Sequence, residues 1–275
     1  LPARLQLRRS TGGAAEVLML EPLDGTRTTW ESLIRPAKRI KRREVLLTAA
    51  GVPAVEVGER TEAGDTFVVR LVGSGDSLEI LDDLGEMPLP PYITARLADP
   101  DRYQTVYARE PGSAAAPTAG LHFTDDLLDR LAAGGVDIAR VELVVGLDTF
   151  RPITEDDPLQ HRMHTERYRV PADTLERCRS ARRVVAVGTT SVRALESAAS
   201  TGELEGRTDI FIHRGFHWQV VDLLLTNLHL PRTTLLMMID AFVGDRWRDL
   251  YDEALRERYR FLSFGDAMLL DRHAG

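Results

Sequence analysis

At 275 residues, 43% hydrophobic and 28% charged, the chain has the composition of a soluble globular protein with room for one large domain or two ordinary ones. It contains no apolar run long enough for a transmembrane helix and no visible signal peptide, although it begins at Leu1 rather than Met, so an upstream segment is expected to be missing. The net charge of −7 speaks against a chain that is basic throughout, and the single cysteine, Cys178, excludes an intramolecular disulfide and fits the reducing cytoplasm.

Residues 1–75 show short strand-like runs at Glu16–Leu20, Thr28–Ile34, Glu44–Thr48, Val52–Val57 and Thr66–Val72, punctuated by glycine turns. Short strands at this spacing predict a small antiparallel barrel or sandwich. Charge is concentrated here: residues 1–43 hold ten Lys and Arg against four Asp and Glu, a balance of +6, which leaves −13 for the rest. Arg35, Lys38, Arg39, Lys41, Arg42 and Arg43 fall within nine residues. Such a run is either a solvated surface or a phosphate-binding edge. Ser77–Gly85 reads as a short helix, and Pro88–Pro91 as a rigid, extended linker.

Beyond it strands alternate with helices. Thr124 caps a predicted helix carrying Leu127, Leu128 and Leu131 inward and stopping at Gly134-Gly135. A strand is expected over Asp137–Val145. A helix follows from an Asp173/Glu176 cap to Arg183, with Cys178 in its charged run as an inert thiol. Val184–Val187 is an apolar strand that runs through Gly188-Thr189-Thr190-Ser191 into a helix ending near Ser200. Strands are expected at Asp209–Ile212 and Gln219–Leu225, and helices at Thr233–Val243 and Asp245–Arg258. The pattern predicts a layered α/β domain with a mainly parallel sheet over 88–275, following a small antiparallel β-barrel domain over 1–87.

Two blocks stand out, T-A-G-L-H-F-T at 118–124 and T-N-L-H-L-P at 226–231. Each sets a histidine among apolar residues beside hydroxyls, an amide or glycine. Burying Thr118, His122, Thr124, Asn227 and His229 is costly without partners, so these blocks build a polar network or bind a polar ligand. The strand–Gly188-Thr189-Thr190-Ser191–helix element is either a polar-ligand site at a helix N-terminus or simply a capped helix. Arg193 and Glu196, at i and i+3, would as an isolated pair form a surface salt bridge. His161, His164 and Glu166 have spacing that allows a metal pair, but no H-E-x-x-H or second cysteine supports one. Arg109-Glu110 opens a possible ligand-facing loop. Asp266, in Phe264-Gly265-Asp266, follows a tight turn or caps a helix. No P-loop, G-x-G-x-x-G or G-x-S-x-G is present, which removes P-loop nucleotide hydrolysis, Rossmann-type cofactors and α/β-hydrolase chemistry from consideration.

Taken together the blocks closely resemble the S-adenosylmethionine:tRNA ribosyltransferase-isomerase family of queuosine biosynthesis. The matching segments are L-P-A-R-L at 1–5, T-G-G at 11–13, G-E-M-P-L-P-P-Y-I at 85–93 and R-Y-Q-T-V-Y-A-R-E-P-G-S at 102–113. They continue with A-A-P-T-A-G-L-H-F-T at 115–124, V-G-L-D-T-F-R-P at 145–152, H-R-M-H-T-E at 161–166 and V-A-V-G-T-T-S-V-R-A-L-E-S at 185–197. T-D-I-F-I at 208–212, L-T-N-L-H-L-P at 225–231 and Y-R-F-L-S-F-G-D-A-M-L at 259–269 complete the set in family order. One block departs: the usual proline–glycine–aromatic turn appears as Arg214-Gly215-Phe216 after His213.

The resemblance implies an α/β domain joined to a small β-barrel, acting as a cytoplasmic monomer on tRNA, with S-adenosylmethionine as co-substrate, no prosthetic group, no metal and no membrane. It implies transfer and isomerisation of the ribosyl moiety of S-adenosylmethionine onto 7-aminomethyl-7-deazaguanine at the wobble position, giving epoxyqueuosine and releasing adenine and methionine. That chemistry needs a base for a proton beside the sulfonium, a neutral attacking amine and a donor for departing adenine. Base candidates are Glu110, His164, Glu166 and Asp266; donor candidates are His122, Asn227, His229 and Arg193. Arg109, Glu110, Thr118, Thr124, Gly188, Thr189, Thr190, Ser191, Arg193, Glu196 and Asn227 are the expected substrate-binding set, and the 35–43 cluster the tRNA-binding one. Family members usually carry several dozen further residues ahead of L-P-A-R-L. Their absence keeps a second reading in play, a shortened relative that binds tRNA or S-adenosylmethionine without turnover.

Overall fold

The structure is a computed structural model that describes residues 1–273 apart from 62–63, 91, 94–96, 98, 110–111, 114, 145–154, 156, 162 and 164. The chain divides into two compact units, Leu1–Arg96 with Glu110–Ala115, and Leu97–Arg109 with Ala116–Gly275.

Six strands build the first unit: β1 (Arg4–Arg9), β2 (Ala14–Pro22), β3 (Thr29–Arg35), β4 (Val45–Leu47), β5 (Pro53–Arg60) and β6 (Phe67–Leu71). They pair antiparallel in the order β2-β3-β6-β5-β4-β1, and β1 pairs back onto β2. The sheet is therefore a closed barrel, which leaves no unpaired edge among these strands. Alternating residues fill its interior, with Leu5, Val17, Met19, Trp30, Leu46, Val55, Val57 and Val69 fully buried. The strand-like runs read from the sequence correspond to β2–β6. β1 is an addition: in R-L-Q-L-R-R only Leu5 and Leu7 face inward, and its arginines disguise the alternation. Helix α1 (Ser77–Leu84) is capped by the Asp76 carboxylate, which accepts from the Leu78 amide at 2.8 Å. β7 (Gly85–Glu86) then pairs with β1. In the Pro88–Pro91 segment, expected as a rigid linker, Pro88 and Pro90 are buried and the Leu89 carbonyl accepts from Arg4 at 3.4 Å.

The second unit contains α2 (Asp125–Ala133), β8 (Glu142–Val144), β9 (Glu166–Arg169), α3 (Ala172–Ser180), β10 (Val185–Val187), α4 (Thr189–Thr201), β11 (Glu205–Thr208), β12 (Leu223–Asn227), α5 (Thr234–Val243), α6 (Arg246–Arg256) and β13 (Ala267–Asp271). Two three-stranded sheets form, β10-β12-β13 and β11-β9-β8. Among the described residues only β10–β12 is parallel, so the expectation of a mainly parallel sheet is corrected: β13, unforeseen in the sequence, returns antiparallel beside β12, and β8, β9 and β11 pair antiparallel. Helix α4 touches both sheets, and seven consecutive residues, Val192–Ala198, are buried. Val192, Ala194, Leu195 and Ala198 join Leu224, Met238, Ile239 and Phe242 in the core.

Several local expectations shift for identifiable reasons. The Asp209–Ile212 run is not a strand; the ladder forms at β11, where β9 supplies a partner, while Ile212 packs into the core. β12 starts at Leu223 because the amides of residues 219–221 are taken by a side chain described below. α3 ends at Ser180 and follows Pro171, with no side-chain cap from Asp173, which lies inside the first turn. Thr124 does cap α2, accepting from the Leu127 amide at 3.2 Å, but no residue of that helix is fully buried. Thr233 caps α5 in the same way. No described helix is long and apolar enough to cross a membrane.

Candidate active site

The carboxyl ends of the parallel strands β10 and β12 lie side by side, the place where open α/β sheets expose loops and helix N-termini to ligands. At the end of β10, Gly188 adopts φ +84°, a conformation that disfavours any side chain. Its amide donates to the Leu225 carbonyl at 2.8 Å, tying the turn to β12. Thr189, Thr190 and Ser191 form the first turn of α4. Ser191 Oγ donates to the Val187 carbonyl at 2.8 Å, and Thr189 is buried.

A methyl group placed on Gly188 would sit 3.4 Å from Cβ of Ala119, so the two small residues let the Thr118–His122 turn approach this loop. Gly120 serves the same end: a Cβ there would overlap the Tyr107 hydroxyl. Burial raises the pKa of that phenol, against the opposing charge of Arg140.

The two histidine blocks meet through Asn227, the last residue of β12 and nearly fully buried. Its Nδ2 donates to Thr118 Oγ1 at 3.0 Å, and its Oδ1 lies 2.9 Å from Nε2 of the half-buried His122. Asn227 is paired with Ala267, so Asp266, one residue ahead of β13, comes to the same edge. The Arg260 amide donates to the Asp266 carboxylate at 2.7 Å and the Arg260 guanidinium at 3.3 Å. These contacts, in that order, and the neighbouring charge of His122 hold its pKa below the usual carboxylate range. The turn needs Gly265, where a Cβ would overlap the carbonyls of Arg260 and Phe261.

His229 belongs to the same block but is set deeper. Its Nε2 lies 3.0 Å from Thr226 Oγ1, and its amide donates to the Tyr251 hydroxyl at 2.9 Å. Burial alone lowers its pKa to about 4, so the ring is neutral at physiological pH.

A second buried group joins the helix to the other sheet. Arg193 Nη1 donates to Glu166 Oε2, and both residues are buried. Burial lowers the Arg193 pKa to about 10, opposed by the charge of Asp209, so it stays cationic. Beside it a cavity of about 10 Å³ is lined by Met163, Phe211, Ile212, Thr234 and Met238. Glu196, three residues on, does not pair with Arg193 at the surface as their spacing suggested. It is fully buried and accepts from the amides of Gln219, Val220 and Val221 at 2.9, 3.0 and 2.9 Å. Its carboxylate holds the approach to β12.

Thus Thr118, His122, Gly188, Asn227 and Asp266 gather at one sheet edge with the Thr189–Ser191 turn, and Glu166 pairs with Arg193. Thr124 is spent on its helix cap and Arg109 is exposed. His164 and Glu110 lie outside the described residues. Thr226, Tyr251 and Arg260 join the network, and Tyr107 packs against Gly120, without having been singled out in the sequence; Thr226 lies inside a histidine block and Arg260 shortly before Asp266, whereas Tyr107 and Tyr251 carried no local signal. Among the described residues no group of three or more metal-ligating side chains occurs. Cys178 is half-buried in α3, and burial raises its thiol pKa.

In the first unit, Arg35 ends β3, and Lys38, Arg39, Lys41, Arg42 and Arg43 occupy the exposed loop to β4. Arg42 pairs with Glu59 at 2.7 Å, and the Arg43 amide donates to the Val57 carbonyl at 2.7 Å. Lys38 and Arg39 make no ion pair with a carboxylate among the described residues, whereas the charge of Lys41 helps to lower the pKa of Glu44.

The chain matches the model of the queuosine biosynthesis protein family over residues 1–270. It is 50% identical over 280 residues to the S-adenosylmethionine:tRNA ribosyltransferase-isomerase of Symbiobacterium thermophilum, covering 98% of this chain and 81% of that protein. The protein of the same name from Carboxydothermus hydrogenoformans is 47% identical over 278 residues, with the same coverage of 98% and 81%. A solved S-adenosylmethionine tRNA ribosyltransferase from Thermotoga maritima is 34% identical, covers 98% of this chain and 78% of its own, and superposes with a TM-score of 0.46. On the family match over nearly its whole length, this chain belongs to the queuosine biosynthesis protein family.

Proposed function

We propose that this chain is an enzyme, an S-adenosylmethionine:tRNA ribosyltransferase-isomerase, which moves the ribosyl moiety of S-adenosylmethionine onto 7-aminomethyl-7-deazaguanine at the tRNA wobble position and yields epoxyqueuosine. The observation that carries this reading is 50% identity, across 98% of the chain, to a relative of that name. The polar edge at the ends of β10 and β12 supports it as the substrate site. The turn that follows Gly188 offers the first backbone amides of α4 and the Thr190 hydroxyl to a ribose or carboxylate. The ionised Asp266 carboxylate suits a cationic sulfonium. His122 supplies a titratable ring for proton transfer. We assign the exposed 35–43 cluster to tRNA phosphates, residues 88–275 to catalysis, and the cytoplasm as the place of action, where tRNA is found.

The test combines the protein with S-adenosylmethionine and tRNA carrying the 7-aminomethyl-7-deazaguanine base, followed by analysis of the released small molecules. Adenine and methionine in equal amounts are expected. S-adenosylhomocysteine would instead mark methyl transfer, and binding without product would mark a non-catalytic relative; either result overturns the proposal.

A further inference from the structure

The Asn227 side chain is nearly fully buried and held at both ends, by Thr118 through Nδ2 at 3.0 Å and by His122 through Oδ1 at 2.9 Å. A carboxamide oxygen can only accept hydrogen bonds, and a neutral imidazole carries its proton on one nitrogen only. We propose that Asn227 and Thr118 hold His122 as its Nε2–H tautomer, so that Nδ1 is the basic nitrogen and His122 accepts a proton in catalysis rather than donating one.

In this arrangement Asn227 and Thr118 are positioning residues that act through His122. With Nδ2 donating to Thr118 Oγ1, Oδ1 is the end of the amide that faces the ring, and only an N–H can answer it. The neighbouring histidine of the motif pair has no such partner. His229 Nε2 faces the hydroxyl of Thr226, which can donate or accept and so imposes no tautomer. When Nδ1 takes a proton, the substrate's bond to that hydrogen breaks and its electron pair stays on the substrate. The imidazolium keeps its Nε2–H on Asn227, and the ionised Asp266 carboxylate, close enough for its own titration to respond to the ring, offsets the new charge.

The inference rests on reading this sheet edge as the active site, but the tautomer is measurable without substrate. Protein labelled with ¹⁵N-histidine is examined by long-range ¹H–¹⁵N correlation at about two pH units above the ordinary histidine pKa. The His122 signals are assigned by their loss in His122→Gln. The expected spectrum shows Nε2 as the protonated, pyrrole-type nitrogen and Nδ1 as the bare, pyridine-type nitrogen. Asn227→Ala and Thr118→Val are each expected to give a mixture of tautomers. Asn227→Asp, whose carboxylate also only accepts, should keep the Nε2–H form. Turnover should fall roughly 10²-fold in Asn227→Ala, the scale of one lost acid–base group, with partial rescue in Asn227→Asp.

An Nδ1–H ring in the unmodified protein overturns the proposal, whether or not the variants fold. An unchanged tautomer in both Asn227→Ala and Thr118→Val shows that these residues do not set it. Full turnover in a variant with mixed tautomers overturns the catalytic use of Nδ1. Failure of the unmodified protein to release adenine and methionine is a separate result, which overturns the proposed reaction and leaves the tautomer to stand or fall on its spectrum.

Discussion

Arg193 reaches from α4 to the carboxylate of Glu166 at the start of β9 with both side chains out of solvent, while its Nε and Nη2 have no hydrogen-bond partner among the described residues. A buried ion pair repays its desolvation only when its remaining donors are satisfied, so the strain of this site falls on the guanidinium. Glu166→Gln, which leaves the cation without its counter-charge, is expected to cost about 3–5 kcal/mol in urea unfolding. Glu166→Leu combined with Arg193→Met should cost less than either single change, because no uncompensated charge remains. Strict additivity of the two losses would show that the residues are not coupled.

His229 makes stability depend on acidity in a defined window. Its ring is neutral in the fold, with a pKa pushed down to about 4 by burial against an ordinary value of 6.5. The unfolded chain therefore binds a proton that the folded chain refuses. Stability is intact above pH 6.5, is lost as pH falls from there, and the loss levels off below pH 4. Between pH 7 and pH 4.5 this one group is expected to remove about 2.5 kcal/mol. His229→Gln should flatten the pH dependence of denaturant midpoints by that amount. Parallel curves for parent and variant would mean that His229 is protonated in the fold and is open to a role as proton donor.

Much of this architecture is visible in the residues themselves, and the gaps have physical causes. The two histidine blocks advertise a polar network because Thr118, His122 and Asn227 stand among apolar neighbours. Their meeting is invisible, since Asn227 and His122 are 105 residues apart and join only because the Thr118–His122 turn packs beside the Gly188 loop at the ends of β10 and β12. Arg193 and Glu196 mislead for the opposite reason. Their i, i+3 spacing suggests mutual pairing, but α4 is buried against two sheets, so each finds a partner off its own helix. The strand read at Gln219–Leu225 is truncated because Glu196 takes three amides that a ladder would otherwise use. β13 follows a Phe-Gly-Asp turn that fits a helix cap equally well, and only the free edge of β12 decides it.

Glu196 offers a direct separation of fold from substrate binding. Oε1 accepts from the amides of Val220 and Val221 and Oε2 from that of Gln219. Glu196→Gln keeps an oxygen for the first two and turns an NH₂ group toward the third, leaving two donors face to face. The expected cost is about 2 kcal/mol, the scale of one lost bond to a charged acceptor. Glu196→Ala should cost more, since all three buried amides lose their acceptor. Affinity of the folded fraction for S-adenosylmethionine should stay at the parental level. A variant of unchanged stability and weakened ligand binding would return Glu196 to the substrate site.

The loop from β3 to β4 supplies the last test. Arg42 is partly neutralised by Glu59 and the charge of Lys41 acts on Glu44, whereas Lys38 and Arg39 present exposed charge without a carboxylate partner among the described residues; all three of Lys38, Arg39 and Lys41 are exposed. The chain as a whole carries −7, and residues beyond 43 carry −13, so a local basic patch must provide the attraction for a polyanion. Each phosphate contact releases counterions and adds about 0.7 to 0.9 to the slope of log affinity against log salt, depending on strand form. Neutralising Lys38, Arg39 and Lys41 together is therefore expected to weaken tRNA binding and flatten that slope by about two units. These side chains are exposed and make no hydrogen bond that holds the barrel, so its melting temperature should not move. S-adenosylmethionine affinity should also hold, because none of the three side chains belongs to the proposed substrate edge. A salt slope unchanged in the triple variant would mean that tRNA docks elsewhere and that the cluster is only a solvated surface.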